Sequence, residues 1–437
     1  MTKCCGNCLE LDFGYKCIYT KHDVEGKEGT CLIIVQKYGG TSIGDNERLL
    51  NVAKNITEKY REGYSLVVVL SAMGSTTDKL ISLAKEVNPK CSKRELDMLI
   101  STGEQQSVAL MAMAIHSLGS PAISLNAVQS KILCSSDYGN ARIQNIETQK
   151  ILSELERKNI VLVTGFQGVN RYGDVATLGR GGSDTTAVAL AAALSADTCE
   201  IYTDVDGIYT ADPRIVPTSK KLKEISYDEM LELASLGARV LHSRSVELAK
   251  KHNVKLVVKS SLVKGEGTVV KETTMEKMLI SGLAIDKDVS RITVVGMKDL
   301  PGIAFKLFSL LAKKNIIVDL IVQTTGGSTL KDISFTVHKS AQEETVEILE
   351  KNADFLGYES LSYTNDLAKL SVVGGGMASN PGVAASIFEA LYDIGVNVKM
   401  ISSSEIKISV LIEEKDAEIA ANSVHEKLMA KDVELNR

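Results

Sequence analysis

A lysine followed by two glycines is the segment of this chain whose residue types best suit chemistry. The apolar run Cys31–Val35 predicts a buried strand, and it leads into Lys37, Gly39 and Gly40. Two glycines let backbone N–H groups approach an anion closely, and the lysine ammonium adds a point charge. The segment therefore predicts a phosphate site. It is not a Walker A loop, because the lysine precedes the glycines and the G-x-x-x-x-G-K-[ST] pattern is missing from the sequence.

Three further segments are rich in hydroxyls, glycines and charged groups. Leu70–Thr77 (LSAMGSTT) and Thr203–Arg214 (TDVDGIYTADPR) follow predicted strands, and Thr177–Thr186 (TLGRGGSDTT) leads into an alanine-rich helix. Ligands of parallel α/β sheets bind at the carboxyl ends of the strands, so these loops are candidate ligand contacts.

Ordinary structural roles are also open to these polar residues. Ser183 fits a helix N-cap and Asp184 a first-turn acid. Ser101-Thr-Gly-Glu104 matches a capping box, in which Glu104 would cap the N-terminus of a helix. Asp206-Gly207 and Asp212-Pro213 are typical of turns. Capping and ligand binding are compatible, because exposed helix N-termini bind anions.

The hydrophobic pattern predicts the scaffold that must bring these loops together. Strand-like and helical runs alternate between residues 31 and about 260, which predicts an α/β fold with a mostly parallel sheet and helices on both faces. The predicted strands are 31–36, 65–71, 159–166, 199–203 and 254–259, and the predicted helices are 46–60, 94–118, 145–157 and 183–195.

An internal repeat occupies the last third of the chain. Residues 292–304 (ITVVGMKDLPGIA) and 370–384 (LSVVGGGMASNPGVA) each read as a strand and a Pro-Gly turn that lead into a helix. Each copy continues with two short strands and a second helix. The duplication predicts two small α+β modules of the ferredoxin-like type.

The composition is typical of a globular protein without nucleic-acid or membrane partners. The net charge of -5 argues against nucleic acid, and the lack of tryptophan with 5% aromatic residues argues against stacking platforms. The longest apolar runs have the length of strands, so neither a membrane span nor a signal peptide is expected. Scattered Cys91, Cys134 and Cys199 fit reduced thiols in the cytoplasm.

Cysteines are concentrated at the N-terminus, at Cys4, Cys5, Cys8, Cys17 and Cys31. The Cys5-x-x-Cys8 pair could be half of a metal site, but a second pair at suitable spacing is missing. A flexible extension over residues 1–30 is therefore the favoured interpretation.

Together the loops resemble the aspartate kinases of the amino acid kinase family. Lys37–Ser42 is similar to their lysine–aromatic–Gly–Gly–Thr–Ser signature, Leu178–Asp184 and Thr203–Tyr209 are similar to two further motifs, and the repeat resembles paired amino-acid-sensing ACT domains. The resemblance covers residues 31–437 in the family's order. It implies a three-layer kinase domain over 31–285, a first ACT domain over 286–365, to which 430–437 would add, and a second over 366–429. We expect the monofunctional form, without a fused homoserine dehydrogenase.

The resemblance implies transfer of the ATP γ-phosphoryl group to the β-carboxylate of L-aspartate, the first step towards lysine, threonine and methionine. The nucleophile is already an anion at pH 7, so no general base is needed. Mg²⁺ is expected as a cofactor held by phosphates and water, without protein ligands. By resemblance, Lys37 and Asp184 are catalytic, and Ser71, Thr77, Glu104, Arg180 and Ser183 bind aspartate. ATP would contact Lys37, Gly39, Gly40, Thr203, Asp204, Tyr209, Arg214 and Arg239, the last at a position where many relatives have lysine.

Paired ACT domains imply feedback by an end-product amino acid. Asp299 and Asp319 would suit the ε-ammonium of lysine better than the hydroxyl of threonine, so lysine is favoured. The implied effector residues are Met297, Asp299, Gly302, Asp319, Gln323, Asn397, Val398, Ser403 and Ser404. Exposed strand edges in such modules favour self-association, so a homo-oligomer is expected.

Two other functions remain open. A kinase of the same fold could phosphorylate glutamate or N-acetylglutamate, although such relatives generally lack paired ACT domains. A non-catalytic amino-acid sensor with a decayed kinase domain is the other alternative, and intact Lys37, Glu104 and Arg180 argue against it.

Overall fold

The computed structural model describes residues 21–22, 28–29, 32–236, 240–272, 280–325, 330–377, 380 and 382–435, which form four β-sheets with flanking helices. The strands are β1 (Lys21–His22), β2 (Glu28–Gly29), β3 (Ile33–Tyr38), β4 (Ser65–Leu70), β5 (Ala122–Leu125), β6 (Ile132–Cys134), β7 (Ile143–Ile146), β8 (Ile160–Thr164), β9 (Gln167–Val169), β10 (Val175–Thr177), β11 (Thr198–Thr203), β12 (Glu224–Ser226), β13 (Leu256–Ser260), β14 (Thr268–Lys271), β15 (Gly282–Lys298), β16 (Val318–Thr325), β17 (Leu330–His338), β18 (Ser360–Val373), β19 (Met400–Ser403) and β20 (Lys407–Glu413).

The helices are numbered in the same way. They are α1 (Asn46–Arg61), α2 (Thr76–Val87), α3 (Lys93–Ile100), α4 (Thr102–Ser117), α5 (Gln149–Glu156), α6 (Gly182–Ala193), α7 (Tyr227–Ser235), α8 (Ser243–His252), α9 (Ile303–Ala312), α10 (Gln342–Lys351), α11 (Ala353–Leu356), α12 (Val383–Asp393) and α13 (Ala417–Leu435).

The largest sheet confirms the predicted α/β scaffold. Its described strands lie in the order β12-β14-β13-β11-β3-β4-β8-β5; β13 and β14 pair antiparallel, and the other neighbours are parallel. Its central strands are apolar on both faces, as parallel strands between two helical layers must be. Alternate side chains of β4 show this: Leu66 and Val68 pack with α1 and α4, whereas Val67 and Val69 pack with α6.

Parallel register fixes where the candidate loops begin. Lys37 in β3 lies opposite Val69 in β4 on one side and Ile201 in β11 on the other. The segments that follow β3, β4 and β11 therefore start side by side at one edge of the sheet.

Several elements of this domain differ from the sequence prediction, and α2, α7, α8, β5, β12 and β14 were not predicted. Residues 94–118 form two helices, α3 and α4, which meet at Ser101. A small sheet of order β10-β9-β6-β7 was not predicted, because its strands are only three or four residues long and carry little periodicity. Two of its strands, β9 and β10, lie in the chain between β8 and the loop before α6.

The repeat forms two modules that share one antiparallel sheet of order β16-β17-β15-β18-β20-β19 in the described residues. Each copy has the predicted sequence of strand, helix, two strands and helix. Gly302 and Gly382 occupy equivalent positions before α9 and α12 with φ of 89° and 94°, a left-handed conformation that favours glycine. Residues 430–437 were expected to add to the first module. Of these, residues 430–435 form the end of helix α13.

The two long strands join the modules into one unit. β15 and β18 pair from Gly282 opposite Val373 to Val295 opposite Ser360. The second half of β15 also pairs with β17, and the second half of β18 pairs with β20. Leu320 in edge strand β16 and Met400 in the opposite edge strand β19 share one buried cluster, so the sheet is strongly curled.

A buried carboxylate joins the second module to the kinase domain. Glu229 forms a capping box with Ser226 at the start of α7. Its Oε1 accepts hydrogen bonds from Ser281 Oγ at 2.5 Å and Gly375 N at 2.9 Å, just before β15 and just after β18. One side chain thus satisfies donors from both sides of the domain boundary.

We expect Glu229→Ala to lower the free energy of unfolding by about 2–4 kcal/mol, because it leaves several buried donors without an acceptor. Glu224→Ala is the matched control, since it removes a half-exposed ion pair to Lys271 and should cost less than about 1 kcal/mol. Urea denaturation of both variants measures the difference, and equal losses would contradict the assignment.

Candidate active site

A cavity of about 320 Å³ opens at the carboxyl edge of the parallel sheet. It brings together residues from the segments after β3, β4 and β10 and from the start of α4. Its lining residues are Lys37, Gly39, Gly40, Ser71, Ala72, Gly74, Thr77, Glu104, Phe166, Gly179, Arg180, Gly181, Gly182, Ser183 and Asp184.

An ion pair connects opposite walls of this cavity. Lys37 Nζ at the end of β3 lies 2.6 Å from Asp184 Oδ1 in the first turn of α6, and both side chains are 12% exposed. A Cβ atom at Gly39 would lie 3.5 Å from the Lys37 ammonium. Glycine at 39 therefore leaves the ammonium open to a ligand, while Asp184 fixes its position. The N-cap of α6 is Gly181, so Ser183 does not cap this helix as the structural alternative proposed.

Two glycines are required for the loops to approach each other. A Cβ at Gly40 would lie 2.5 Å from the Ala72 carbonyl oxygen. Gly181 has φ of 68°, and a Cβ there would lie 2.2 Å from the His242 ring. Both contacts exclude larger residues, so the signature glycines pack the loops together as well as expose their backbone.

Glu104 presents a buried carboxylate to the cavity. Its Oε1 accepts a hydrogen bond from Ala72 N at 3.1 Å, and Oε2 has no hydrogen-bond partner among the described residues. Burial raises the pKa of Glu104 to about 7. The capping-box alternative does not hold, because the Ser101 hydroxyl donates to the Met98 carbonyl and leaves the start of α4 without a side-chain cap. The free oxygen suits a cationic ligand group.

Two residues that the sequence did not single out hold the Arg180 loop. Asp97 in α3 is buried and accepts from Thr177 N at 2.8 Å, Thr177 Oγ1 at 2.8 Å and Gly139 N at 2.9 Å. Arg244 in α8 donates to the Leu178 carbonyl at 2.8 Å. Arg180 itself is exposed at the cavity rim. Nothing in the sequence distinguishes Asp97 or Arg244 from surface charges on helices.

Phe166 is a further lining residue that sequence reasoning missed. It follows Gly165 after β8 and has φ of 67°, and its N–H donates to Thr186 Oγ1 at 3.2 Å. A non-glycine residue in this region costs on the order of 1–3 kcal/mol and is often found at functional sites. Phe166 itself has no sequence signal.

Of the predicted nucleotide residues, Lys37, Gly39 and Gly40 line the cavity, whereas Thr203, Asp204, Tyr209 and Arg214 do not. Thr203 ends β11, the strand next to β3, and its Oγ1 donates to Asp204 Oδ1 at 2.9 Å. Tyr209 donates to Asp206 at 2.9 Å, and Arg214 binds Asp212 at 2.7 Å through a largely exposed side chain. Arg239 lies outside the described residues.

The predicted effector acids already have cationic partners. Asp299 lies 2.6 Å from Lys331 Nζ. Asp319, which is 42% exposed, pairs with Lys369, which is 4% exposed and also lies 3.7 Å from Asp286. Of the other predicted residues, Met297 is buried, Val398 is half-buried, and Gln323, Asn397, Ser403 and Ser404 are exposed.

Searches for metal sites and membrane spans cover the same described residues. Within them, no group of three or more His, Cys, Asp and Glu side chains is arranged to hold a metal ion. None of their helices combines the length and the apolar character needed to cross a bilayer. The Cys5-x-x-Cys8 pair lies outside the described part of the chain.

Comparisons with known proteins agree on one family. The amino acid kinase family profile matches residues 32–260, and the ACT domain profile matches residues 292–352 and 370–428. The aspartokinase of Geobacillus stearothermophilus is 50% identical over 396 residues, which cover 90% of this chain and 96% of the relative. The structure of E. coli aspartokinase III with aspartate and ADP (R-state) is 26% identical, with a TM-score of 0.75 and coverage of 91% of this chain and 100% of that one. Its structure with lysine and aspartate (T-state) is 26% identical, with a TM-score of 0.72 and coverage of 91% and 99%.

The buried Glu104 should make stability depend on pH. Its pKa is about 7 in the folded protein and 4.5 for an ordinary glutamate. Between these values the folded state binds more protons than the unfolded state, so the free energy of unfolding falls as pH rises, by at most about 1.4 kcal/mol per pH unit. Glu104→Gln cannot titrate and should gain stability relative to the unmodified protein from pH 5 to 8. Urea denaturation across this range tests the expectation, with exposed Glu95→Gln as control; parallel curves for the unmodified protein and Glu104→Gln would contradict it.

Proposed function

Because the chain belongs to the aspartate kinases of the amino acid kinase family, we propose that the Lys37 cavity is where it transfers the γ-phosphoryl group of ATP to the β-carboxylate of L-aspartate. The product is 4-phospho-L-aspartate. The observation that carries the assignment is the meeting of a fixed ammonium, a buried carboxylate with a free oxygen and an exposed guanidinium in one cavity.

Charge stabilisation is the main task of this site. The attacking aspartate carboxylate is already ionised, so the reaction needs no proton acceptor on the protein. Phosphoryl transfer passes through a state whose negative charge is spread over the oxygens of the transferred group. Lys37 Nζ offers the charge that this state needs, and Asp184 holds the ammonium in place. Asp184 therefore acts on the reaction by orienting Lys37.

Substrate recognition uses charges of both signs. L-Aspartate carries an α-ammonium, which suits the free Oε2 of Glu104, and an α-carboxylate, which suits the exposed guanidinium of Arg180. Ammonium binding would favour the ionised form of Glu104, whose pKa is about 7 without a ligand. The hydroxyls of Ser71, Thr77 and Ser183 line the same cavity and complete the aspartate site.

ATP would approach from the β11 side of Lys37. Thr203 ends β11, and Asp204, Tyr209 and Arg214 follow it. The Tyr202 carbonyl oxygen in the same strand lies 4.0 Å from the Cβ position of Gly39. Among the described residues, the carboxylates that line the cavity are Asp184, which pairs with Lys37, and Glu104, whose free oxygen the proposal assigns to the substrate ammonium. These residues fit a Mg²⁺ ion held by phosphates and water, where it would neutralise charge on the β- and γ-phosphates.

We also propose that L-lysine inhibits the enzyme through the ACT domains. Asp286, Asp319 and Lys369 together leave one negative charge, whereas Asp299 and Lys331 cancel. The group of Asp286, Asp319 and Lys369, here called the Asp319 cluster, can therefore accept the ε-ammonium of lysine better than Asp299 can. The structure of E. coli aspartokinase III in complex with lysine and aspartate (T-state) supports lysine as the ligand. The proposal places the enzyme in the cytoplasm, as a homo-oligomer joined through its ACT domains, at the first step towards lysine, threonine and methionine.

A coupled ADP-release assay tests the reaction directly. We expect activity with ATP and L-aspartate and none above background with glutamate or N-acetylglutamate. Lys37→Ala should lower kcat by orders of magnitude with a modest change in the KM for aspartate, whereas Arg180→Ala should mainly raise that KM. Lys131→Ala removes a surface ion pair to Glu147 and is the control. Near-normal kinetics of both site variants would refute the roles of Lys37 and Arg180.

Isothermal titration with L-lysine and L-threonine tests the effector. We expect lysine to bind, and Asp319→Asn to weaken that binding more than Asp299→Asn, because only the Asp319 cluster has an uncompensated charge. The thermal unfolding of both variants should also be measured, because Lys369 is buried beside Asp319 and loses a charged partner in Asp319→Asn. Binding of threonine without lysine would overturn the choice of ligand.

A further inference from the structure

A buried histidine links the second ACT domain to the loop that follows β11. His425 lies in α13 and is 2% exposed. Its Nε2 lies 2.9 Å from Thr210 Oγ1, and its Nδ1 lies 3.5 Å from Thr218 Oγ1. Both threonines belong to the loop that continues the segment after β11.

A neutral ring fits the contacts around His425. Thr210 Oγ1 accepts from Lys220 N at 2.9 Å and keeps its own proton and a second lone pair, so it can donate to His425 Nε2 or accept from it. Burial lowers the pKa of His425, and the charge of Lys220 lowers it further, which favours the neutral form.

Other contacts hold the same loop from the same side. The Thr210 carbonyl accepts from Leu283 N in β15 at 2.8 Å, and Asn422 Nδ2 in α13 donates to the Ile215 carbonyl at 2.9 Å. The loop is thus attached to the second ACT domain at Thr210, Ile215 and Thr218.

We infer that His425 is a positioning residue for the nucleotide, which it serves by holding the loop from Thr210 to Thr218 against α13. The inference rests on the proposed function, in which Thr203–Arg214 contacts ATP. It makes the second ACT domain a structural part of the nucleotide site. A ligand that shifts α13 would then change nucleotide affinity more than aspartate affinity.

Calorimetric titration of the full-length protein with ADP and Mg²⁺ tests the inference. His425→Ala should raise the Kd for ADP about three- to tenfold, since it removes one or two neutral hydrogen bonds that order the loop. The KM for aspartate should change less than twofold. His425→Gln, which can still bind Thr210, should recover most of the affinity.

Ser423→Ala is the matched control. Ser423 is in the same helix, but its hydroxyl donates to the Ala390 carbonyl of α12 at 3.0 Å, inside the ACT domain. Its loss should leave the Kd for ADP unchanged. If His425→Ala does not fold, Thr218→Val tests the contact from the kinase side and should weaken ADP binding by a smaller factor.

Several outcomes would overturn the inference. They are equal ADP affinity in His425→Ala and Ser423→Ala, equal loss of nucleotide and aspartate affinity, and an unmodified protein that does not bind ADP. An unmodified protein that binds ADP with the expected His425 dependence, but does not phosphorylate aspartate, would refute the proposed function and leave the role of His425 intact.

Discussion

The candidate site depends on the ion pair between Lys37 and Asp184. Each charge lies in a place where water is scarce, and each offsets the desolvation of the other. The pair also has a mechanical consequence, because it ties the end of β3 to the first turn of α6. The loop that carries Arg180 enters α6 directly, so its position over the sheet follows from this contact together with Asp97 and Arg244.

The regulatory half of the molecule places its charges differently. Lys369 is nearly inaccessible in a central strand of the shared sheet, and its two acid partners lie closer to the surface. A buried ammonium with partly exposed partners keeps the carboxylates close together while leaving their outer faces available. In the proposed lysine site the acids would therefore already be positioned, and binding of the ligand would cost little reorganisation.

Sequence patterns were sufficient for the scaffold and for most of the cavity. Apolar runs such as those of β4 and β8 predict buried parallel strands, and parallel strands place their following loops at one edge. The residues that pattern reasoning missed act through contacts that are remote in sequence. Asp97 meets Thr177 across a gap of 80 residues, and Phe166 is marked only by its backbone angle. The break at Ser101 was missed although the capping-box pattern Ser101-Thr-Gly-Glu104 is a helix-start signal at that position, because the apolar pattern of 94–118 was read as one continuous helix.

The repeat shows a second limit. Two similar segments suggested two units that fold side by side, and the modules do contain the predicted elements. Their connection lies in β15 and β18, which extend beyond the repeated motif and pair along their lengths. The sequence repeat shows only the elements that the two copies have in common. The strand extensions, which lie outside the repeat, join the copies.

Shared strands also limit how this protein can be divided or recombined. Removing either ACT domain would leave half of β15 or β18 without its partner, as an unprotected edge that invites intermolecular pairing. Exchange of one domain with a relative would have to carry both long strands to preserve their register. The two copies are therefore a single structural unit, although the sequence presents them as a pair.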